Sequence, residues 1–525
     1  MIEMIKLEVH VTGSYKADRA LGASVPKDFI IENKLDRKKF LLVEFKKGRK
    51  GFIDVVPLSE TNYKRYNWFR IPIPKTESRN IGIQVKDKIS LTILDAKSED
   101  EAKISNPLIE DYQNKISSLE FFPPIIKTHQ TYRKLENPTP LWFEYKDKYL
   151  FWWNSGARLH PLILPKTLQL DTKLATLAGG LRGEVGSSDC VTTGEFSNAS
   201  PEFINFVLDQ IDEKLEIKKE QWKGRIEYRG PEWNSETERR LKEFWSYTTG
   251  IKNFYKSRFT KVTGKKSMPC GELMIHTGGI LLKEALNGLV NSIESKIANE
   301  PEILPNYIVG LLSAEGSLHV SDNSLRGISI FTKSSRLAKF YQTILSFIGI
   351  DTGIFKNRSC NVLYISGWSN FLRLYELVSR TNLTPFIFSL PYRDILFFQG
   401  FSNLYATNIL LVWDENLDNT RVKTTEIKNK IEEEFGRSFD KRGIGVNLTN
   451  LHKEGLLEGG CKRGEYQFKL TEKGNRSKNA LSNLSFMIKN SWEKMKKFNS
   501  LLQKFELGKI EINDNMRIET TWSND

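Results

Sequence analysis

Two acidic residues sit where a chemical site would need them. Glu184 ends the run Leu174-Ala-Thr-Leu-Ala-Gly-Gly-Leu-Arg-Gly-Glu184, and Glu315 ends Tyr307-Ile-Val-Gly-Leu-Leu-Ser-Ala-Glu315. They lie 131 positions apart. Each run reads as an apolar helix rich in small residues. Gly179, Gly180, Gly183, Gly310 and Ala314 would let two helix backbones approach closely, because no bulky Cβ substituent intervenes. Packed side by side, the C-terminal ends of the two helices meet. Those ends carry partial negative charge and free carbonyl oxygens. One carboxylate added to each makes an anionic pocket of oxygen donors. Like charges held that close raise a pKa. A hard cation such as Mg2+ relieves the repulsion and bridges to phosphate.

The elements after each acid must hold the pair in place. Glu315 is followed by a hairpin (SLHVSD, LRGISIFTK) and an amphipathic helix from Ser335 to Ile350, with Ser334 and Ser335 as caps. A second hairpin (TGIFKNRS, NVLYIS) and the helix GWSNFLRLYELVS come next, giving the order αββαββα. The segment after Glu184 repeats this with looser edges. It runs CVTTGEFSN, the helix PEFINFVLDQIDEKL, the strand WKGRIEYRG and the helix SETERRLKEFWSYTTG. The strand-like FYKSRFTKV and GELMIHT and the helix KEALNGLVNSIES close it.

Residues 160–412 therefore resemble a single-chain, two-motif LAGLIDADG protein of the homing-endonuclease type. The resemblance implies that the motif helices form a pseudo-dimer interface and that two antiparallel sheets form a saddle on the DNA major groove. It implies that Glu184 and Glu315 bind Mg2+ (or Mn2+), which activates water against the scissile phosphodiester. Lys256 and Lys356 are the candidates for electrostatic support of that step. Arg258, Lys261, Lys265 and Lys266 in the first copy, and Arg326, Lys333 and Arg358 in the second, are the candidate DNA contacts, with phosphate contacts fixing register and strand side chains reading bases. The first motif departs from the family pattern. Val185 stands where Gly is usual after the acid, and Gly180 and Arg182 occupy less typical positions.

Flanking modules complete an α+β multidomain organisation. Residues 1–95 read as all-β, with an internal echo: Val25-Pro26-Lys27-Asp28 recurs 48 positions on as Ile73-Pro74-Lys75-Thr76. The pair resembles two copies of the AbrB/SpoVT-type swapped-hairpin element of small DNA-binding β-barrels, here within one chain. Residues 96–140 form a linker with a helix. Residues 141–300 hold a β-hairpin, LWFEYKDKYLFWW, and the first repeat, and 301–412 hold the second. The hairpin aromatics suit either base stacking or a core. Residues 420–477 resemble a winged helix-turn-helix, in which the second helix enters the major groove and the wing contacts the backbone. That resemblance places Lys441, Arg442, Asn447 and Asn450 toward DNA, with Lys462 and Arg463 on the wing. Residues 478–525 form a C-terminal helical segment.

Composition agrees with this reading. The 525 residues carry a net charge of +14, which favours an anionic partner. No apolar run approaches the ~20 residues of a membrane helix. The four cysteines show no CxxC spacing, so a reduced interior is expected, cytoplasmic and nucleoid-associated. The start lacks a secretory signal, and the ends lack the residues an intein needs. Two functions stay open. One is a free-standing, metal-dependent, sequence-specific endonuclease on double-stranded DNA, monomeric with a pseudo-dimeric core and needing no organic cofactor. The alternative is a catalytically inactive LAGLIDADG-derived transcription regulator, as in bacterial WhiA-type proteins.

Overall fold

The computed structural model describes residues 4–13, 21–58, 68–104, 114–124, 140–153, 161–184, 194–262, 269–297, 299–321, 324–379, 381, 405–418, 420–436, 438–463 and 465–508.

The N-terminal unit holds β1 (Ile5–Thr12), β2 (Leu21–Pro26), α1 (Lys27–Glu32), β3 (Phe40–Lys47), β4 (Lys50–Pro57), β5 (Trp68–Ile73), α2 (Lys75–Asn80) and β6 (Lys88–Lys97). They build one six-stranded sheet in the order β4-β3-β6-β1-β2-β5. The 48-residue echo is a structural repeat. The N–H groups of Lys34 and Leu35 bond the carbonyls of Ile31 and Ile30, and Gly82 and Ile83 bond Arg79 and Ser78 in the same way. The strand pairing obeys the same shift. The pair Leu21–Ile73 maps onto Val25–Phe69, and Phe45–Leu91 maps onto Val43–Ile93. A pseudo-twofold axis therefore passes through the sheet.

A connecting unit follows, with α3 (Glu99–Ala102), β7 (Lys115–Ser117), β8 (Leu141–Tyr145), β9 (Lys148–Trp152), β10 (Leu162–Pro165) and β11 (Thr167–Gln169). Among the described residues of the expected linker, α3 is a single turn and Ser118–Phe121 form a 3-10 turn. The β8–β9 hairpin turns at Lys146, which adopts a left-handed φ of 56°. Four of its aromatics, Phe143, Phe151, Trp152 and Trp153, are core, while Trp142, Tyr145 and Tyr149 are half-buried. Part of this hairpin packs Leu141, Phe143, Leu150 and Trp152 against Phe40, Leu42 and Val55 of the N-terminal sheet. Lys97 crosses the same junction. Its Nζ lies 3.4 Å from the Trp142 ring centroid and donates to the Trp142 carbonyl at 3.0 Å. Burial lowers this amine to about 8.

The central core has two copies. The first is α4 (Thr172–Glu184), β12 (Gly194–Asn198), α5 (Pro201–Leu215), β13 (Lys223–Gly230), α6 (Ser235–Thr249), β14 (Arg258–Lys261), β15 (Glu272–Thr277) and α7 (Ile280–Ile297). The second is α8 (Leu304–Glu315), β16 (Gly316–Ser321), β17 (Ser324–Thr332), α9 (Ser335–Phe347), β18 (Gly353–Asn357), β19 (Cys360–Ile365) and α10 (Trp368–Ser379). The second copy has the expected order and an antiparallel sheet, β16-β17-β19-β18. The first differs. Its sheet runs β12-β15-β13-β14, and β13 pairs with β14 in parallel. A parallel neighbour needs a crossover, and α6 is that crossover, so α6 and β14 are an insertion between β13 and β15.

The C-terminal unit holds α11 (Tyr405–Leu411), β20 (Arg421–Val422), α12 (Thr424–Phe435), α13 (Lys441–Lys453), β21 (Leu457–Lys462), β22 (Glu465–Leu470) and α14 (Glu472–Lys504). Its small sheet is β20-β22-β21. The expected boundary at 477/478 falls inside α14. The Thr471 side chain caps that helix by accepting from the Gly474 N–H at 3.0 Å. The helix and its end return to the first copy, where Phe498 and Phe505 pack edge-on against Phe244 of α6. No helix among the described residues is long and apolar enough to cross a membrane.

Candidate functional site

The motif helices α4 and α8 touch backbone to backbone. A Cβ on Gly179 would fall 2.1 Å from the Tyr307 carbonyl oxygen, and one on Gly310 would fall 2.1 Å from that of Thr176. Both distances are far inside van der Waals contact, so only glycine fits either place. The two clashes are symmetric, as a pseudo-dimer axis requires. At the C-terminal ends a Cβ on Gly183 would lie 2.6 Å from both Ala314 Cβ and Glu315 Cγ. The end of α4 is thus seated on the Glu315 side chain.

Burial pushes the Glu315 carboxyl up to about 7. Desolvation disfavours the charged form when no cation compensates it. Glu184 is the last residue of α4; its side chain lies outside the described residues. Among the described residues no group of three or more His, Cys, Asp and Glu gathers as a metal cluster.

Arg182, two residues before Glu184, is engaged in the core. Its Nε and Nη2 both donate to the Glu294 carboxylate at 2.7 Å, and Nη2 also donates to Asn291 Oδ1 at 2.6 Å. The Tyr307 hydroxyl donates to the same carboxylate. This network ties α4, α7 and α8 together beside the helix ends. The position 131 residues on is Ser313, whose hydroxyl donates to the Val309 carbonyl at 2.7 Å. The atypical Arg182 is therefore a structural residue of the first copy alone. The sequence marked it as unusual, but its partner lies 112 residues away.

Each sheet has a buried face and an open one. In the first, Phe196, Ile226, Leu273 and Ile275 are buried. The strand period of two sends their neighbours to the other side. Register brings Glu195, Lys223, Arg225, Met274 and His276 together there, joined by Glu227 and Arg258. Arg225 and Arg258 both pair with Glu227, at 3.0 and 3.6 Å. His276 stacks on Tyr255 with ring centroids 4.3 Å apart, and burial lowers its pKa. In the second sheet Ile328, Ile330, Leu363 and Ile365 are buried. The opposite face carries Ser317, Ser329, Phe331, Val362, Tyr364, Phe355 and Asn357 by register. His319 Nε2 lies 2.6 Å from Ser329 Oγ on this side. Apart from Arg258, these open-face residues were missed in sequence. The alternation in KGRIEYRG was the available signal.

The expected contacts fall in varied places. Arg258 and Lys261 are exposed on β14, and Lys256 is exposed just before it. Lys265 and Lys266 lie outside the described residues. Arg326 is in β17, with its side chain outside them, and Lys333 is exposed after that strand. Arg358 sits in the β18–β19 turn with φ 54°. Lys356 lies on the other face of its sheet. Register pairs it with Asn361, on the side of Ile354 and Leu363, so it lies on the face opposite Phe355 and Asn357. In the C-terminal unit Lys441 and Arg442 are exposed at the start of α13. Asn447 donates to the Gly443 carbonyl at 2.8 Å, and Asn450 is half-buried. Lys462 ends β21 with its side chain outside the described residues, and Arg463 is exposed at the hairpin tip with φ 52°.

A LAGLIDADG-like domain model matches residues 302–379. No curated protein matches the chain. Among solved structures, I-DmoI in complex with DNA and Ca is 14% identical, with 40% of this chain and 91% of that chain covered and a TM-score of 0.25. Mesophilic variants of the homing endonuclease I-DmoI give 15%, 40%, 98% and 0.25. Full-length DUF199/WhiA from Thermatoga maritima gives 13%, 54%, 90% and 0.22. A LAGLIDADG-like domain thus lies within the second copy, at residues 302–379.

Proposed function

We propose that this protein binds double-stranded DNA at specific sequences and hydrolyses a phosphodiester with the help of a divalent metal held by Glu184 and Glu315. One observation carries the reading. The ends of α4 and α8 meet at a carboxyl whose burial raises it to about 7. A buried carboxylate needs a proton or a cation to offset its desolvation. The donors there are carboxylate and helix-end carbonyl oxygens, which suit Mg2+ or Mn2+. Bound in such a place, the metal supplies Lewis-acid polarisation of the phosphate and an activated water. A side chain on Gly183 would collide with Ala314 and Glu315, so glycine there leaves space for the Glu315 side chain. The open faces of the two sheets hold the duplex across the helix ends. Lys256 and Lys333 contact phosphates at the edges of these faces, Lys261 lies on the face opposite Arg258, and Lys256 is the remaining candidate for support of the chemical step.

The flanking units extend the DNA surface in this reading. The 48-residue dyad supports a tandem AbrB/SpoVT-like swapped-hairpin unit at the N-terminus. The α12–α13 pair with its three-stranded sheet supports a winged helix-turn-helix, with Lys441 and Arg442 toward the groove and Lys462 and Arg463 on the wing. The protein acts as a monomer inside the cell, its two copies serving as a pseudo-dimer. A second reading, a non-cutting regulator, is favoured by the two flanking DNA-binding-like units, which cleavage alone does not require.

The test compares wild type with the Glu184→Gln/Glu315→Gln double variant on genomic duplex fragments, with Mg2+ or EDTA. Retention and new 5′ ends are read together. Cutting at one site that needs Mg2+ and both acids, with binding kept in the variant, is expected. Specific binding without cutting, even in Mn2+, selects the regulator.

A further inference from the structure

We propose that the two sheets read half-sites of opposite composition, with a G·C-rich half under the first and an A·T-rich half under the second. This rests on the reading that the saddle binds duplex DNA.

The open face of the first sheet pairs cations with carboxylates. Arg225, Arg229 and Arg258 alternate along β13 and β14 with Glu227, and Glu195 faces His276. In the major groove, guanine presents two acceptors that Arg engages bidentately, and cytosine presents an amino donor that Glu accepts. Both members of a G·C pair thus find a partner on this face. The Arg258 side chain is 68% exposed and the Arg225–Glu227 pair is partly exposed, so these groups can exchange ion pairs for base edges.

The described strand residues on the open face of the second sheet carry no Lys, Arg, Asp or Glu; Lys333, just past β17, lies at its edge. Register places Phe331, Val362 and Phe355 in one row across β17, β19 and β18, with Val362 itself buried and the two rings beside it the accessible ones. Phe355 is 59% exposed, although it is a large apolar side chain. Its ring lies over Gly353, where an added Cβ would come within 2.9 Å of it. Asn357 follows two positions on, exposed and on the same face. An apolar row against a G·C edge would strip donors and acceptors of water and return no hydrogen bond. Thymine is the one base whose groove edge offers a methyl group, and Asn engages adenine bidentately. Both members of an A·T pair thus find a partner here. The row begins at Phe331, whose strand neighbour Ile330 pairs with Gly316, next to Glu315. The apolar tract therefore starts at the saddle centre and runs outward to Phe355.

The experiment selects binding sites from random duplex DNA with the full-length protein in Ca2+. Wild type is expected to enrich one site with a G·C-rich half and an A·T-rich half. Phe355→Arg is expected to replace A·T by G·C at one position of the A·T half and to leave the other half unchanged. Phe355 is exposed, so folding survives the change. Asn357→Ala is expected to relax one adenine in the same half, with affinity about tenfold weaker, as for loss of one bidentate base contact. Arg225→Gln with Arg229→Gln is expected to relax the G·C half only. A selected site of even composition, or one whose changes appear in the wrong half, overturns the proposal and leaves duplex binding intact. Failure to enrich any duplex overturns duplex binding and this proposal with it.

Discussion

The two copies of the core share a motif helix and differ in nearly everything that surrounds it. At the interface they are matched: Gly179 meets the Tyr307 carbonyl and Gly310 meets that of Thr176, at equal distance. One turn later the match ends. The first copy places Arg182 in a buried ion pair with Glu294, while the second places Ser313 on its own helix backbone. The first sheet gains a parallel strand and a crossover helix; the second does not. The first open face is charged and the second is neutral and aromatic. The axis is conserved where two backbones must fit each other, and relaxed where each copy faces a different neighbour. An interface built from glycines tolerates no change on either side, whereas a strand face toward solvent tolerates many.

The comparison is broken most strongly at the shared interface. Gly179→Ala and Gly310→Ala are each expected to destabilise by about 3 kcal/mol or more, because the new methyl meets backbone that must shift. Equal losses in urea denaturation support the pseudo-twofold axis, and unequal ones argue against it. The next effect separates the copies. Glu294→Gln leaves Arg182 buried without its countercharge and is expected to cost about 3 kcal/mol. Ser313→Ala, at the matching place, is expected to cost about 1 kcal/mol or less.

The third effect depends on pH. The folded carboxyl of Glu315 titrates near 7, above the 4.5 of an exposed glutamate. The native state therefore binds more protons than the unfolded state between these values, and stability falls as pH rises from about 4.5 through 7. In EDTA the fall should be on the order of 2 kcal/mol. Glu315→Gln should flatten it, and thermal melts across that range measure the difference. The smallest effect concerns the sheet faces. Lys256→Ala should lower the salt slope of DNA binding by about one, the value for one lost phosphate contact. Lys356→Ala, on the opposite face of its sheet from Phe355, should leave it unchanged.

Much of this arrangement was legible in the amino-acid order. The motif helices announced themselves through small residues ending at an acid, and the second copy through the alternation of its hairpins. The echo at Val25-Pro26 and Ile73-Pro74 marked a repeat that the strand pairing obeys. Other features depend on distant partners. The parallel pairing of β13 with β14 leaves no local signature, since each strand alternates as an antiparallel one would. The start of α14, ahead of the expected 477/478 boundary, was hidden by Gly474, which reads as a turn. It is glycine for another reason: an added Cβ would fall 2.1 Å from the Leu456 carbonyl oxygen. The Arg182–Glu294 pair joins residues more than a hundred positions apart. Lys356 was chosen for its charge, and only the register of β18 against β19 shows that it lies on the face opposite Phe355.

The central claim is that the two helix ends hold a divalent metal against DNA. Mn2+ binding to the protein bound to a selected duplex, followed by electron paramagnetic resonance, tests it most directly. Wild type should bind Mn2+, and Glu184→Gln and Glu315→Gln should each weaken or abolish that binding while the duplex stays bound. Mn2+ binding that is unchanged in both variants would contradict the account.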